Sequence, residues 1–327
     1  MLCLGIESTA HTYGIGIVDN TGRILANEKA AYTTDKGGIH PSKAKEHHLT
    51  AAPGILKQAL RKANISLDNV NLIAFSQSPG LAPCLVVGKD NAVALAKKLL
   101  IPIVGVNHCI AHLEIGRLLT RTKDPVLLYA SGANTQVIAY QGRKYRIFGE
   151  TLDQGVGNAL DAFARYMGLG FPGGPKLQEL AKQAKQYIEL PYAVKGMDVS
   201  FTGILTSLKD KYDSGKYSRE DLAYSAQETI FAMLVEVSER AIAHCQKREL
   251  LLGGGVACNT RLQEMCRIMC SERGAKCYAP EHQFLVDNGA MIAWSGLLMY
   301  KAGVRDDASI VDIRPAVRTD DVEVVWR

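Results

Sequence analysis

No stretch of this sequence approaches the roughly 20 consecutive apolar residues that span a bilayer. Its opening, MLCLGIEST, lacks the basic region and long apolar core of a secretory signal and reads as a first strand. A cytoplasmic location and no membrane partner are the expectations. The eight cysteines contain no Cys-x-x-Cys pair and no regular disulfide spacing. Cys266 and Cys270 lie four apart on an expected helix, which admits a zinc cluster, but small buried hydrophobes are the better reading. No GxxxxGK[ST] segment occurs, so a P-loop is unsupported. Low-complexity tracts and long Gly/Ser linkers are missing too.

What is present is ordinary for a soluble enzyme: 47% hydrophobic and 22% charged residues. The net charge of +5 permits a nucleic-acid partner without demanding one. A chain of 327 residues exceeds one comfortable core, so two lobes are expected. The pattern supports this with an internal echo. LCLGIE, YGIGIVD and RILANEKAAY read as three strands, the first two joined by the turn STAHT. From Asp124 the plan recurs as PVLLYA, the turn SGANT, QVIAY and KYRIFGE. Helical segments follow each copy: HLTAAPGILKQALRKAN and KDNAVALAKKLL in the first, then DAFARYMG, KLQELAKQAKQ and YSAQETIFAMLVEVSERAIAHCQ. Two related α/β lobes result, with a ligand site expected between them.

The sharpest local constellation is Asn107-His108-Cys109-Ile110-Ala111-His112, after the apolar strand IPIVGV and at the head of a helix. Residues four apart share a helix face, so two imidazoles can converge on one cation. Zinc proteases carry HExxH, where a glutamate directly follows the first histidine as base. Here that position is Cys109, and the proteolytic reading loses its base. Asp287 opens another helical segment, where it either caps the helix or, if Asn288 caps, keeps its carboxylate for a metal. Three turns offer backbone N–H groups to a phosphate: Ser8-Thr9, Ser131 to Thr135, and Gly253-Gly254-Gly255 running toward a helix. The loop GFPGGP ahead of KLQELAKQAKQ and Asp161 on the preceding helix are candidate walls for a ribose.

Together, IESTAHT, GIHPSKAKEHH, SPGLAPCL, VGVNHCIAHLEIG, LYASGANTQVI, FPGGP, KGMDVSFTGIL, QETIFAMLVEVSERA, GGGVACNTRLQEM and DNGAMIA resemble the tRNA N6-adenosine threonylcarbamoyltransferases, over nearly the whole chain. The SGANT turn favours the archaeal and eukaryotic type, the catalytic subunit of KEOPS complexes, formerly called sialoglycoprotein endopeptidase-like. The resemblance implies a duplicated actin-like, Hsp70-like (RNase H-like) ATPase fold of the α/β class, and transfer of threonylcarbamoyl from its adenylate to the adenosine N6 beside the anticodon, with release of AMP. It implies that His108, His112, Tyr129 and Asp287 hold one divalent metal ion, iron or zinc. Tyr129, Ala130, Ser131, Gly132, Ala133, Asp161, Gly174, Gln178 and Asn259 would contact threonylcarbamoyl-AMP, with ATP or AMP as other occupants. The general base is unassigned; His11, His47 and His48 are available types. Implied partners are tRNA, a small kinase-like ATPase subunit, a small dimerising subunit and an accessory subunit. Gln178 stands where the family usually has glutamate, and Lys89-Asp90 replaces small or apolar residues. The expected division is residues 1–124 for the first lobe, 125–290 for the second with a helical insertion, and 291–327 packing back on the first. An ATPase or carbamoyl kinase-like enzyme on this fold and a non-catalytic tRNA-binding scaffold remain the alternatives.

Overall fold

Strand β1 (Leu2–Glu7) is buried almost end to end because it runs between two neighbours and is covered on both faces. The structure, a computed structural model, describes residues 1–34 and 38–327. β2 (Thr12–Asp19) and β3 (Ile24–Ala31) complete an antiparallel meander. α1 (Pro41–Ala63) then crosses to β4 (Leu72–Ser78), which pairs parallel with β1. α2 (Ala82–Leu99) leads to β5 (Ile103–Asn107), parallel to β4, and α3 (His108–Thr120) follows without a loop. The sheet order is β3-β2-β1-β4-β5.

The second lobe repeats this order. β6 (Val126–Ala130), β7 (Thr135–Gln141) and β8 (Lys144–Glu150) form the meander. A larger helical crossover comes next, with α4 (Val156–Tyr166), α5 (Gly174–Ala181), the short ribbon β9 (Val194–Lys195) and β10 (Asp198–Val199), α6 (Thr202–Asp213) and α7 (Arg219–His244). β11 (Glu249–Gly253) returns parallel to β6; α8 (Thr260–Glu272) and β12 (Lys276–Tyr278) close the sheet as β12-β11-β6-β7-β8. Both lobes are therefore one plan, used twice.

α9 (His282–Leu285), a single turn, leads to α10 (Gly289–Lys301), which packs on β1, β2 and α3 of the first lobe. Gly5 and Gly16 make that approach possible, because a Cβ on either would overlap the backbone of Ala293 or Ala290. The tail then runs back across the molecule. Asp306 accepts from the Gly105 N–H at 2.7 Å, Arg318 pairs with Glu150 at 2.9 Å, and the Trp326 indole donates to Glu114 at 2.9 Å. Lys89 finds its explanation here: it pairs with Asp90 at 2.9 Å and reaches Asp312 of the tail at 3.8 Å.

Four helices begin earlier than their apolar spacing announced: α1, α2, α4 at Val156 before the expected Asp161, and α7 at Arg219 before the expected Tyr224. α1 starts at Pro41, whose fixed φ suits a first helical turn, and buries Ala44, His48, Ala52, Ile55 and Ala59 along one face. α2 starts at Ala82, before the expected Lys89. Conversely, α5 ends at Ala181, five residues before Gln186. The three glycines do not open a helix directly: Gly253 ends β11, Gly254 caps and Gly255 begins a 3-10 turn, Gly255–Cys258, that precedes α8.

Candidate metal centre

The strand-to-helix junction at Asn107 decides where the histidines point. Its side chain caps α3 by accepting from the Ile110 N–H at 3.2 Å, so His108 enters the helix at its first position. His112 follows one turn later, and the two rings stand 4.8 Å apart. The Nε2 atoms of both lie 3.4 Å from Oδ1 of Asp287. Asp287 is free for this because Asn288 is the cap of α10, accepting from the Met291 N–H at 3.0 Å. Among the described residues, this is the one set of three His, Cys, Asp or Glu side chains whose ligand atoms fall within 4.8 Å of one another. The cysteines form no such group there; none is in a disulfide, and five of the eight are buried.

Tyr129, at the end of β6, joins the set from the second lobe, its hydroxyl 3.0 Å from His108 Nε2. On the opposite side of His108, Glu7 completes the arrangement. Its Oε2 lies 2.9 Å from His108 Nδ1, while its Oε1 accepts from the Thr9 N–H at 2.7 Å and the Thr9 hydroxyl at 2.5 Å. The carboxylate thus receives the Nδ1–H and leaves Nε2 as the ring atom that faces Asp287 and Tyr129. Glu7 was not among the expected site residues. The available signal was an acid ending a strand of otherwise apolar residues.

Burial opposes charge on His108, but Glu7, Tyr129 and Asp287 outweigh it and hold its pKa well above the ordinary imidazole value. Burial lowers that of His112. Burial would raise the pKa of Asp287, yet the two histidines hold it well below the carboxylate range. Burial pushes the Tyr129 hydroxyl up. Two converging imidazoles, a carboxylate and a phenol make a donor set suited to a divalent transition metal, and the orphaned, buried His112 Nδ1 is the loosest part of it.

Next to Tyr129 the β6–β7 turn forms a second feature. The Ser131 carbonyl accepts from Gly157 N–H and that of Gly132 from Asn158 N–H, both at 3.0 Å, which pins the turn to the head of α4. Gly254, at φ 90°, lies so close that a Cβ would overlap the Ala130 carbonyl. Tyr129 to Ala133 and Gly253 to Gly255 therefore share one wall. Asp161 accepts from Gly173 and Gly174 N–H at 2.7 and 3.1 Å, shaping the GFPGGP loop, and burial raises its pKa. Asn259 is committed on both ends: Oδ1 caps α8, and Nδ2 donates to Gln227 at 3.0 Å. Gln178 is joined to this wall, its amide donating to Thr260 at 3.2 Å.

The candidate bases separate. His48 is fully buried and out of reach of a substrate. His47 meets the Ala30 carbonyl at 3.3 Å, and His11 packs edge-on against Phe171 of the GFPGGP loop, ring centres 5.9 Å apart.

A model of the family described as tRNA N6-adenosine threonylcarbamoyltransferase matches residues 23–294. The chain belongs to that family. It is 57% identical over 326 residues to the threonylcarbamoyltransferase of Thermococcus kodakarensis, covering all of both chains. It is 53% identical to a probable bifunctional tRNA threonylcarbamoyladenosine biosynthesis protein of Methanothermobacter thermautotrophicus, all of this chain matching 61% of that one. Its fold resembles HypF from T. kodakarensis, with a TM-score of 0.63 at 16% identity, over 92% of this chain and 48% of that one. The actin-like two-lobed architecture expected from the sequence is thereby borne out. No helix of the described residues is long and apolar enough to cross a membrane.

Proposed function

We propose that the protein transfers a threonylcarbamoyl group from threonylcarbamoyl-AMP to the N6 amine of the tRNA adenosine beside the anticodon. The new bond joins N6 to the carbamoyl carbon, the bond from that carbon to the phosphate oxygen breaks, and AMP leaves with the electron pair. The amine loses one proton. An aromatic amine is a weak nucleophile, so the donor must be activated and held in line. The mixed anhydride supplies the activation; the residues described above supply the holding.

The single observation that carries this reading is convergence. His108, His112 and Asp287 meet within 4.8 Å of one another, and Tyr129 places the same cluster beside the β6–β7 turn. His108, His112, Tyr129 and Asp287 would hold iron or zinc, which when bound polarises a donor oxygen and screens phosphate charge. Glu7 keeps His108 in the ligating tautomer. The turn Ala130 to Ala133 and the adjoining Gly254 present backbone to the adenylate, and Asp161, Gly174, Gln178 and Asn259 line the adenosine end. Residues 1–124 and 125–290 act as the two jaws; α10 and the chain to Asp312 pack on the first, but residues 318–327 cross to the second. The proposed assembly is of the KEOPS type, with a kinase-like ATPase, a dimerising subunit and an accessory subunit, in the cytoplasm; membership of a tRNA-modifying family supports it.

His108→Ala is the direct test. Metal content, read by elemental analysis, and transfer to tRNA are expected to fall together, transfer by about 100-fold or more. Full transfer by a metal-free variant would overturn the proposal.

A further inference from the structure

Lys29 places an ammonium group at the junction of the lobes without a carboxylate of its own. It lies on β3 opposite Gly14, on the sheet face against which the head of α10 packs. Its Nζ donates to the Asp287 carbonyl oxygen at 3.4 Å, a long bond, and makes no other among the described residues. The Asp287 carboxylate is turned away, toward His108 and His112. From the other end of the same stretch of chain, α10 begins at Gly289, whose N–H lies against Gly14, the strand partner of Lys29.

An ammonium carries three donors, and this one uses a single weak acceptor. A half-buried charge without a direct ion pair is costly in a folded protein unless an anion arrives to pair with it. A second donor is idle beside it. Asn27, two residues back on the same face, gives its Oδ1 to the Ala290 N–H at 3.2 Å and leaves Nδ2 buried with no acceptor. Two unused donors therefore flank the stretch Asp287 to Ala290, which carries the carboxylate of the cluster.

We infer that Lys29 binds an oxyanion of the adenylate donor, its phosphate or its amino-acid carboxylate, and holds the donor between the metal cluster and the Asn259 wall. This rests on the proposed transfer from an adenylate. The residue acts on binding and positioning, not on proton transfer.

The test uses the full chain and calorimetric affinities for AMP and for a non-hydrolysable threonylcarbamoyl-adenylate analogue. Lys29→Met is expected to weaken the analogue by about tenfold or more, and Lys29→Arg to stay within about threefold of the parent. Equal weakening of AMP assigns the contact to the phosphate; weakening of the analogue alone assigns it to the carboxylate. Unchanged affinity for both ligands in Lys29→Met overturns the inference. So does a loss that merely follows loss of metal or of thermal stability, which is what a lysine tying β3 to α10 would produce. If Lys29→Met does not fold, Lys29→Gln takes its place under the same criteria. A parent protein that binds neither ligand removes the adenylate reading itself, and that result is distinct from an intact affinity in the variant.

Discussion

The two lobes share a strand order but have spent the same turn on different chemistry. In the first, the β1–β2 turn carries Glu7 and Thr9, and both point at His108. In the second, the β6–β7 turn is fixed to the head of α4 through the carbonyls of Ser131 and Gly132. In the proposed reading, one copy orients a metal-binding histidine with side chains and the other offers backbone to the adenylate. The elements behind the turns differ accordingly. β5 runs straight into α3, which delivers two histidines on one face, whereas β11 breaks into a glycine turn packed on Ala130. A duplicated scaffold thus permits two functions to be placed side by side, because the strands hold still while the turns diverge.

Substitutions that break one turn and spare the other are the strongest test of this division. Glu7→Gln keeps shape and burial but removes the charge that receives the His108 proton. Metal affinity should fall by about 10- to 100-fold, the usual penalty for losing a carboxylate behind a ligating histidine. AMP affinity should stay within about twofold. Metal titration and nucleotide calorimetry on the same sample decide it, and a variant that loses both equally would dissolve the contrast between the turns.

The reciprocal change is Gly155→Ala. A Cβ there would overlap the Gly132 carbonyl, forcing the second-lobe turn to move. AMP binding is expected to weaken by about tenfold, roughly the effect of losing one good hydrogen bond to phosphate. Bound metal should be retained. Metal loss at this position would mean that the two turns are mechanically one unit.

The contrast was only partly legible in the chain. β1 to β3 and β6 to β8 were readable because their pattern and turn residues are local, and so was the His108–His112 pair, set by helix spacing alone. Asp287 was ambiguous until the structure showed Asn288 capping α10, since either residue type can cap. Glu7 was invisible as a site residue because its meaning depends on a helix that begins 101 positions later. The resemblance implied Asn259 as an adenylate contact, but nothing in the chain showed it as a helix cap already bonded to Gln227. The early starts of α1 and α2 escaped for a simpler reason: each carries a proline in its first turn, Pro41 and Pro83, which reads as a loop, so tertiary packing decides them.

The smallest expected effect separates the lobes by acid sensitivity. His48 in the first lobe is fully buried, and burial, followed by the nearby His47 and His11, pushes its pKa down to about 4 against the pull of the Ala10 and Ser8 backbone. In an unfolded chain it would titrate near 6.5. Between those values the unfolded state binds the extra proton, so stability rises with pH through this window and is lost as the pH falls from about 6.5 toward 4. The second lobe has a different buffer. Asp153 accepts from Phe201 and Thr202 N–H at 3.0 and 2.8 Å, and although burial works the other way, these bonds hold its pKa at about 2. Its contribution is complete above about 4 and disappears only as the pH drops toward 2. At pH 5 the first lobe should therefore have lost on the order of 1 kcal/mol that the second has kept. Hydrogen exchange should show α1 and β2 loosening before β6 to β8, and His48→Met should flatten that response. Simultaneous loosening of both sheets between pH 6.5 and 5, unchanged by His48→Met, would show that this histidine does not set the acid limit of its lobe.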